Sequence, residues 1–183
     1  DYGIACCVSP MKIGKQMQFF GARANLAKCM LYAINGGRDE MTGEQVAPMY
    51  SPIEGDYLTY EEFMPRFEQM MRWLAKTYVN ALKIIHYMHD KYDYEAFEMA
   101  LHDGDVQRTR ATGIAGLSIV TDSIAAMKNC KIRIIRDETG LAVDYKIEEG
   151  EYIPFGNDCD ETDAIAVELT EKFMEYLRQH RTY

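Results

Sequence analysis

Ile4-Ala5-Cys6-Cys7-Val8-Ser9-Pro10 is the stretch on which the reading of this chain turns; sixteen residues after Cys7 stands Arg23, within Phe19-Phe20-Gly21-Ala22-Arg23-Ala24-Asn25-Leu26. Adjacent cysteines seldom bond to each other, because the small ring strains the disulfide geometry. They read as two free sulfurs on an apolar loop, with three roles open: chemistry, metal binding or packing. Packing is an ordinary role, since cysteine behaves as a small buried hydrophobe. Metal binding is disfavoured, because neighbouring cysteines do not easily ligate one ion and no His or Cys partner is near in sequence. Arg23 is expected at the start of a helix running from Phe20 to Ile34, where a cation opposes the helix dipole. Its neighbours are small and apolar, so the guanidinium seeks an anion, and a two-pronged bond to a carboxylate satisfies it. The bland alternative is an exposed arginine.

Composition narrows the class. The chain has 183 residues and a formal net charge of −9. That length suffices for a sizeable core, and the acidic balance argues against nucleic-acid binding, which wants a basic face. It leaves room for an anionic substrate, because one arginine binds a carboxylate locally. No apolar run is long enough to span a membrane, and no secretory signal is visible. Five cysteines (6, 7, 29, 130 and 159) form neither a disulfide framework nor a zinc spacing, which points to a reducing, cytoplasmic setting. The chain opens at Asp1 without an initiator Met and is read as an internal part of a longer polypeptide.

Patterning predicts strand and loop over 1–18, the helix from Phe20 to Ile34 with Gly36-Gly37 as its stop, and a loop from Gly36 to Tyr57. Thr59-Tyr60-Glu61-Glu62 is a capping box. After it Phe63, Phe67, Met70, Leu74, Tyr78, Ala81, Ile85 and Met88 recur at helical spacing, with Pro65 early enough to be tolerated. Further helices are expected over Tyr94–Leu101, Leu117–Met127 and Thr162–Gln179, the last with acids at its start and bases at its end. Asp137-Glu138-Thr139-Gly140 between two apolar runs signals a β-hairpin.

Other polar groups carry weaker signals. His86 and His89 have a spacing that can bind metal but lack the third partner of known motifs, so packing or surface histidines are expected. His102-Asp103 is either a proton-transfer pair or a helix end. Gly113-x-x-Gly116 is too short for a dinucleotide fingerprint and reads as a turn or close packing before a helix.

The stretch from Asp1 to Leu26 resembles the cysteine loop of the pyruvate formate-lyase family of glycyl radical enzymes. His86-Tyr87-Met88-His89-Asp90-Lys91-Tyr92, Ala100-Leu101-His102-Asp103, Gly113-Ile114-Ala115-Gly116-Leu117-Ser118 and Ile135-Arg136-Asp137-Glu138-Thr139-Gly140-Leu141-Ala142 resemble later segments of the same family in the same order. The double cysteine is the specific part, because related dehydratases and decarboxylases carry one cysteine at this loop.

The resemblance implies an α/β fold: a mainly helical piece of a ten-stranded β/α barrel with the cysteine loop at its centre. Residues 1–183 would be an internal part of one larger catalytic domain, with 1–18 as cysteine loop and 19–183 as helices plus a hairpin near 131–147. The implied reaction is that of an acyltransferase, pyruvate plus coenzyme A giving acetyl-coenzyme A plus formate. Cys6 would be acyl carrier and thiyl radical, Cys7 radical relay and hydrogen donor, Arg23 the carboxylate anchor and Phe20 the wall against the substrate methyl. No metal or organic cofactor is expected in this chain. A glycyl radical is expected in the carboxyl-terminal part of the parent, with coenzyme A as co-substrate. Implied partners are the rest of the polypeptide, a radical S-adenosylmethionine activating enzyme and a second copy in a homodimer, with no nucleic acid and no membrane. Two alternatives stand beside this reading: the same chemistry on 2-ketobutyrate, and a non-catalytic fragment or helical binding module. These 183 residues alone are expected to be inactive.

Overall fold

A computed structural model describes residues 1–5, 9–92, 97 and 99–182, without the side chains of Ala5, Ser9, Phe19 and Phe20. The expectations for Cys6 and Cys7, and for half of the helix over 94–101, lie outside the described residues. In chain order the described elements are β1 (Tyr2–Ala5), β2 (Ser9–Lys12), β3 (Gln16–Asn25), α1 (Leu26–Ile34), β4 (Tyr57–Leu58), α2 (Tyr60–Lys91), β5 (Gln107–Ala115), α3 (Leu117–Asn129), β6 (Lys131–Arg136), β7 (Ala142–Glu149) and α4 (Asp160–Arg178). They fall into two compact units, one of Asp1–Ala24, Thr77–Gly113 and Arg181–Tyr183, the other of Asn25–Lys76 and Ile114–His180.

In the first unit β1 and β2 pair antiparallel, from Tyr2↔Lys12 to Ala5↔Ser9. Strand β3 pairs with β5. Gln107 N donates to Lys15 O at 2.9 Å, a Cβ on Gly21 would meet Ala111, and one on Gly113 would meet Arg23. Contacts advance in the same sense along both strands, so they run parallel. Tyr78, Val79, Leu82 and His86 of α2 are buried in this unit.

The predicted helix from Phe20 is half wrong: residues up to Asn25 are strand, and α1 begins at Leu26. Asn25 is the true N-cap, its side chain accepting from Lys28 N at 3.0 Å. The helix stops where expected. Gly36 takes a left-handed φ of 64°, and Gly37 N donates to Tyr32 O at 2.7 Å, the long bond of a Schellman ending.

The second unit holds most of the core. The long helix forms as its periodicity predicts, with Thr59 Oγ1 accepting from Glu62 N at 3.4 Å. Only half of the capping box forms, because the Glu62 carboxylate turns to Arg66 at 3.3 Å. Phe63 and Phe67 are fully buried and stack at 5.0 Å; each buried aromatic of this kind contributes about 1.5–3 kcal/mol. The hairpin β6–β7 is antiparallel. Its turn rests on Asp137 Oδ1, which accepts from Thr139 N at 2.9 Å and Leu141 N at 3.0 Å, with Gly140 at φ 83°. Gly116 precedes α3 at φ 76°, and a Cβ there would lie 2.7 Å from Ala27 Cβ, so the expected close packing before a helix is present. Acids Asp160, Glu161 and Asp163 open α4 and Arg178 closes it, as the helix dipole favours.

Candidate functional site

Of the sequence-predicted site residues, Phe20 and Arg23 lie in the first unit, on one strand of the parallel pair β3–β5. Cys6–Val8 follow Ala5 and precede Ser9, which are register partners in β1 and β2. Phe20 and Arg23 both belong to β3. Arg23 is therefore a strand residue, and no helix dipole opposes its charge. Its side chain is exposed, and among the described residues no hydrogen bond or ion pair engages its guanidinium. The aliphatic stem runs beside Gly113 of β5, where a Cβ would stand 3.1 Å from Arg23 Cγ. Arg23 is thus a cation with no anionic partner among the described residues, on a strand held by a parallel neighbour.

Beneath it lies a buried polar group that local sequence reading does not find. Tyr78, on the core stripe of α2, is 8% exposed. Its hydroxyl donates to the carbonyl of Ala22 and accepts from Gly113 N at 3.3 Å. One helical turn pair further on, His86 is 2% exposed, with Nδ1 at 3.1 Å from Arg110 Nη2. A guanidinium only donates, so Nδ1 is the acceptor here and the imidazole is neutral at that nitrogen. Arg110 Nη1 is buried without a hydrogen-bond partner, and desolvation lowers the Arg110 pKa. The packing role expected for His86 matches its burial. Tyr78–Ala22, Tyr78–Gly113 and His86–Arg110 are long-range pairs, which is why spacing along the chain does not announce them.

The other candidates separate from this region chemically. The Asp103 carboxylate pairs with Lys15 at 3.2 Å, both side chains exposed, and Asp103 N donates to Gly14 O at 2.8 Å. This closes the entry to β3. Among the described residues no group of three or more His, Cys, Asp or Glu is arranged to hold a metal ion. None of their helices is long and apolar enough to cross a membrane. Cys29 is buried and Cys130 and Cys159 are partly exposed, all three free thiols.

Comparison with known proteins agrees with this architecture. The model of the family described as pyruvate formate lyase-like matches residues 1–183. Formate acetyltransferase 1 of Escherichia coli (strain K12) is 62% identical over all 183 residues. The chain spans 24% of that relative's length. Among solved structures, one from work on 1,2-propanediol dehydration in Roseburia inulinivorans superposes with a TM-score of 0.71 at 20% identity, over 99% of this chain and 26% of that one. A glycyl radical enzyme from Archaeoglobus fulgidus gives a TM-score of 0.71 at 15% identity, again over 99% of this chain and 26% of that one. These two matches establish the α/β fold of a stretch of such enzymes. With its whole length matched by the family model, the chain belongs to the pyruvate formate lyase-like family.

Proposed function

We propose that this chain is an internal part of a larger catalytic domain with formate acetyltransferase activity, and that it carries that enzyme's acyl-bearing sulfur and one substrate anchor. The observation that carries the reading is 62% identity, sustained over all 183 residues, to a formate acetyltransferase. The paired Cys6-Cys7 supports the same assignment, because cleavage of a 2-keto acid asks for two sulfurs.

The chemistry derives from what each residue can do. A glycyl radical elsewhere in the parent supplies the stored unpaired electron. Cys7 passes a hydrogen atom toward it and takes one from Cys6. The Cys6 thiyl adds to the carbonyl carbon of pyruvate, and homolysis of the bond to the carboxylate leaves an acetyl thioester on Cys6 and a formate radical anion. Cys7 gives its hydrogen to that radical, producing formate and a thiyl that re-enters the relay. Thiol exchange with coenzyme A releases acetyl-coenzyme A and restores Cys6. Arg23 grips the pyruvate carboxylate and Phe20 packs against its methyl. The Arg23 side chain is exposed and has no ion-pair partner among the described residues, which fits a guanidinium waiting for an anion. Water and oxygen must be kept from the sulfurs, which an enclosing ten-stranded barrel with the cysteine loop at its centre would do. An activating enzyme, a homodimer, a cytoplasmic setting and a role in anaerobic fermentation belong to the same reading.

The test uses the full-length enzyme, activated anaerobically by a radical-generating activating enzyme and supplied with carboxyl-labelled pyruvate and coenzyme A. Labelled formate in equal amount to acetyl-coenzyme A is expected. Absence of formate, or turnover of 2-ketobutyrate alone, would overturn the assignment.

A further inference from the structure

We propose that Tyr78 and Gly113 are positioning residues for Arg23. Tyr78 fixes the backbone that aims the Arg23 side chain, and Gly113 leaves the space in which its stem lies. This inference rests on the reading of Arg23 as the anchor for the substrate carboxylate.

Tyr78 rises from α2 with a buried ring and one polar atom to satisfy. A phenolic hydroxyl has one proton and two lone pairs, so it can donate and accept at once. It does both here, donating to Ala22 O on β3 and accepting from Gly113 N on β5. The Ala22 carbonyl and the Arg23 nitrogen share one rigid peptide plane. Fixing that carbonyl fixes the plane from which the Arg23 Cα–Cβ bond departs. The other end of the bridge is the residue against which Arg23 Cγ rests. A Cβ on Gly113 would stand 3.1 Å from that atom, tighter than ordinary contact, and Gly113 carries no left-handed φ that would demand glycine. Its bareness therefore has a steric use, which is room for the Arg23 stem.

Arginine loses several rotors when held in one geometry. A guanidinium with no polar partner among the described residues would spread over many rotamers unless its base were fixed. The hydroxyl bridge and the bare glycine act on that base from two sides. An ordinary buried tyrosine also finds a partner for its hydroxyl. What distinguishes this one is that both partners are backbone groups bracketing a single functional side chain.

The experiment compares Tyr78→Phe, Gly113→Ala, Arg23→Lys and the Tyr78→Phe/Arg23→Lys double variant in the full-length, anaerobically activated enzyme. Measured are KM for pyruvate, KM for coenzyme A and the glycyl radical content by electron paramagnetic resonance. Tyr78→Phe keeps the ring and removes only the bridge. It is expected to raise the pyruvate KM about tenfold, the scale of one net hydrogen bond, with coenzyme A KM and radical content unchanged. Gly113→Ala is expected to act in the same direction. The double variant is expected to be no worse than Arg23→Lys, because residues acting through one another do not add. Equal rises in both KM values, loss of radical content, or multiplying effects in the double variant would overturn the proposal. If Tyr78→Phe is insoluble, an unchanged pyruvate KM in Gly113→Ala overturns it. If Arg23→Lys itself leaves the pyruvate KM unchanged, the anchor reading fails and takes this inference with it. If Arg23→Lys raises KM while Tyr78→Phe does not, this inference alone fails.

Discussion

Asn35 closes α1 and holds the hairpin strand β7 with its side chain, and replacing it should be among the costliest single changes in the second unit. Its Nδ2 donates to Ala142 O at 3.1 Å and its Oδ1 accepts from Ala142 N at 2.8 Å. Asn35 is 4% exposed and Ala142 is fully buried. Asn35→Ala removes the side-chain partner of both backbone groups of Ala142. An orphaned buried polar group costs about 1–3 kcal/mol, so the pair should cost about 2–5 kcal/mol. Asn35→Asp keeps the acceptor for Ala142 N but sets a carboxylate oxygen against the Ala142 carbonyl. Protonation restores a donor there, so the defect of this variant should shrink as pH falls through the carboxyl range. Equilibrium urea unfolding gives the energy, and amide exchange at Ala142 reports the site directly. An Asn35→Ala protein within about 0.5 kcal/mol of wild type, or unchanged protection at Ala142, would refute the reasoning.

Two further outcomes follow from electrostatics. The Lys28 ammonium, 2.8 Å from Asp39, together with the Thr42 and Met41 amides, holds the Asp39 carboxyl down at about 2, from 3.8. A depressed folded pKa gives stability that is present above the unfolded value and lost as pH falls toward the folded one. The acid side of the stability curve between pH 3.8 and about 2 should therefore flatten in Asp39→Asn; parallel curves for the two proteins would contradict this. The second outcome concerns thiol reactivity. Burial pushes the Cys29 thiol up, while the Thr162 amide and hydroxyl hold the Cys159 thiol below its usual value. Thiolate is the reactive form, so iodoacetamide should label Cys159 well before Cys29 in the native protein, as mass spectrometry of the peptides would show; equal rates would count against it.

Elements whose stability is local were legible in the sequence. The long helix after Thr59, the Gly36-Gly37 stop and the Asp137–Gly140 turn each carry their own geometry, and each forms; the apolar stripe faces the core from Phe63 to Tyr78 but not beyond, where Ala81 and Met88 are exposed and Leu82 and His86 are buried instead. Strand β3 does not. Gln16-Met17-Gln18-Phe19-Phe20-Gly21-Ala22-Arg23-Ala24-Asn25 has no β-branched residue and two alanines that favour helix. It is a strand because β5 lies beside it, some ninety residues on, and such pairing leaves no mark in local pattern. The boundary was nevertheless written in the chain. Asn25 followed by Leu26 is an N-cap signal, and its side chain does cap α1. Strand β5 passed unread for a related reason, since Gln107-Arg108-Thr109-Arg110-Ala111 shows no alternation of apolar and polar residues. At the site, the small apolar neighbours of Arg23 suggest a poorly hydrated guanidinium, but its side chain is exposed, because strand β3 rather than a helix carries it. The Tyr78 bridge was hidden because Tyr78 also fits the core stripe, and only its hydroxyl departs from that role.

The central claim is that Cys6 carries the acetyl group and Cys7 the relayed hydrogen. The most direct measurement is to activate the full-length enzyme anaerobically, add pyruvate without coenzyme A, quench in acid and map the peptide containing Cys6 and Cys7 by tandem mass spectrometry. The account predicts an acetyl thioester on Cys6, none on Cys7, one formate released per acetyl group, and loss of both products in Cys6→Ser. An acetyl group on Cys7, or formate release with Cys6 unmodified, would contradict it.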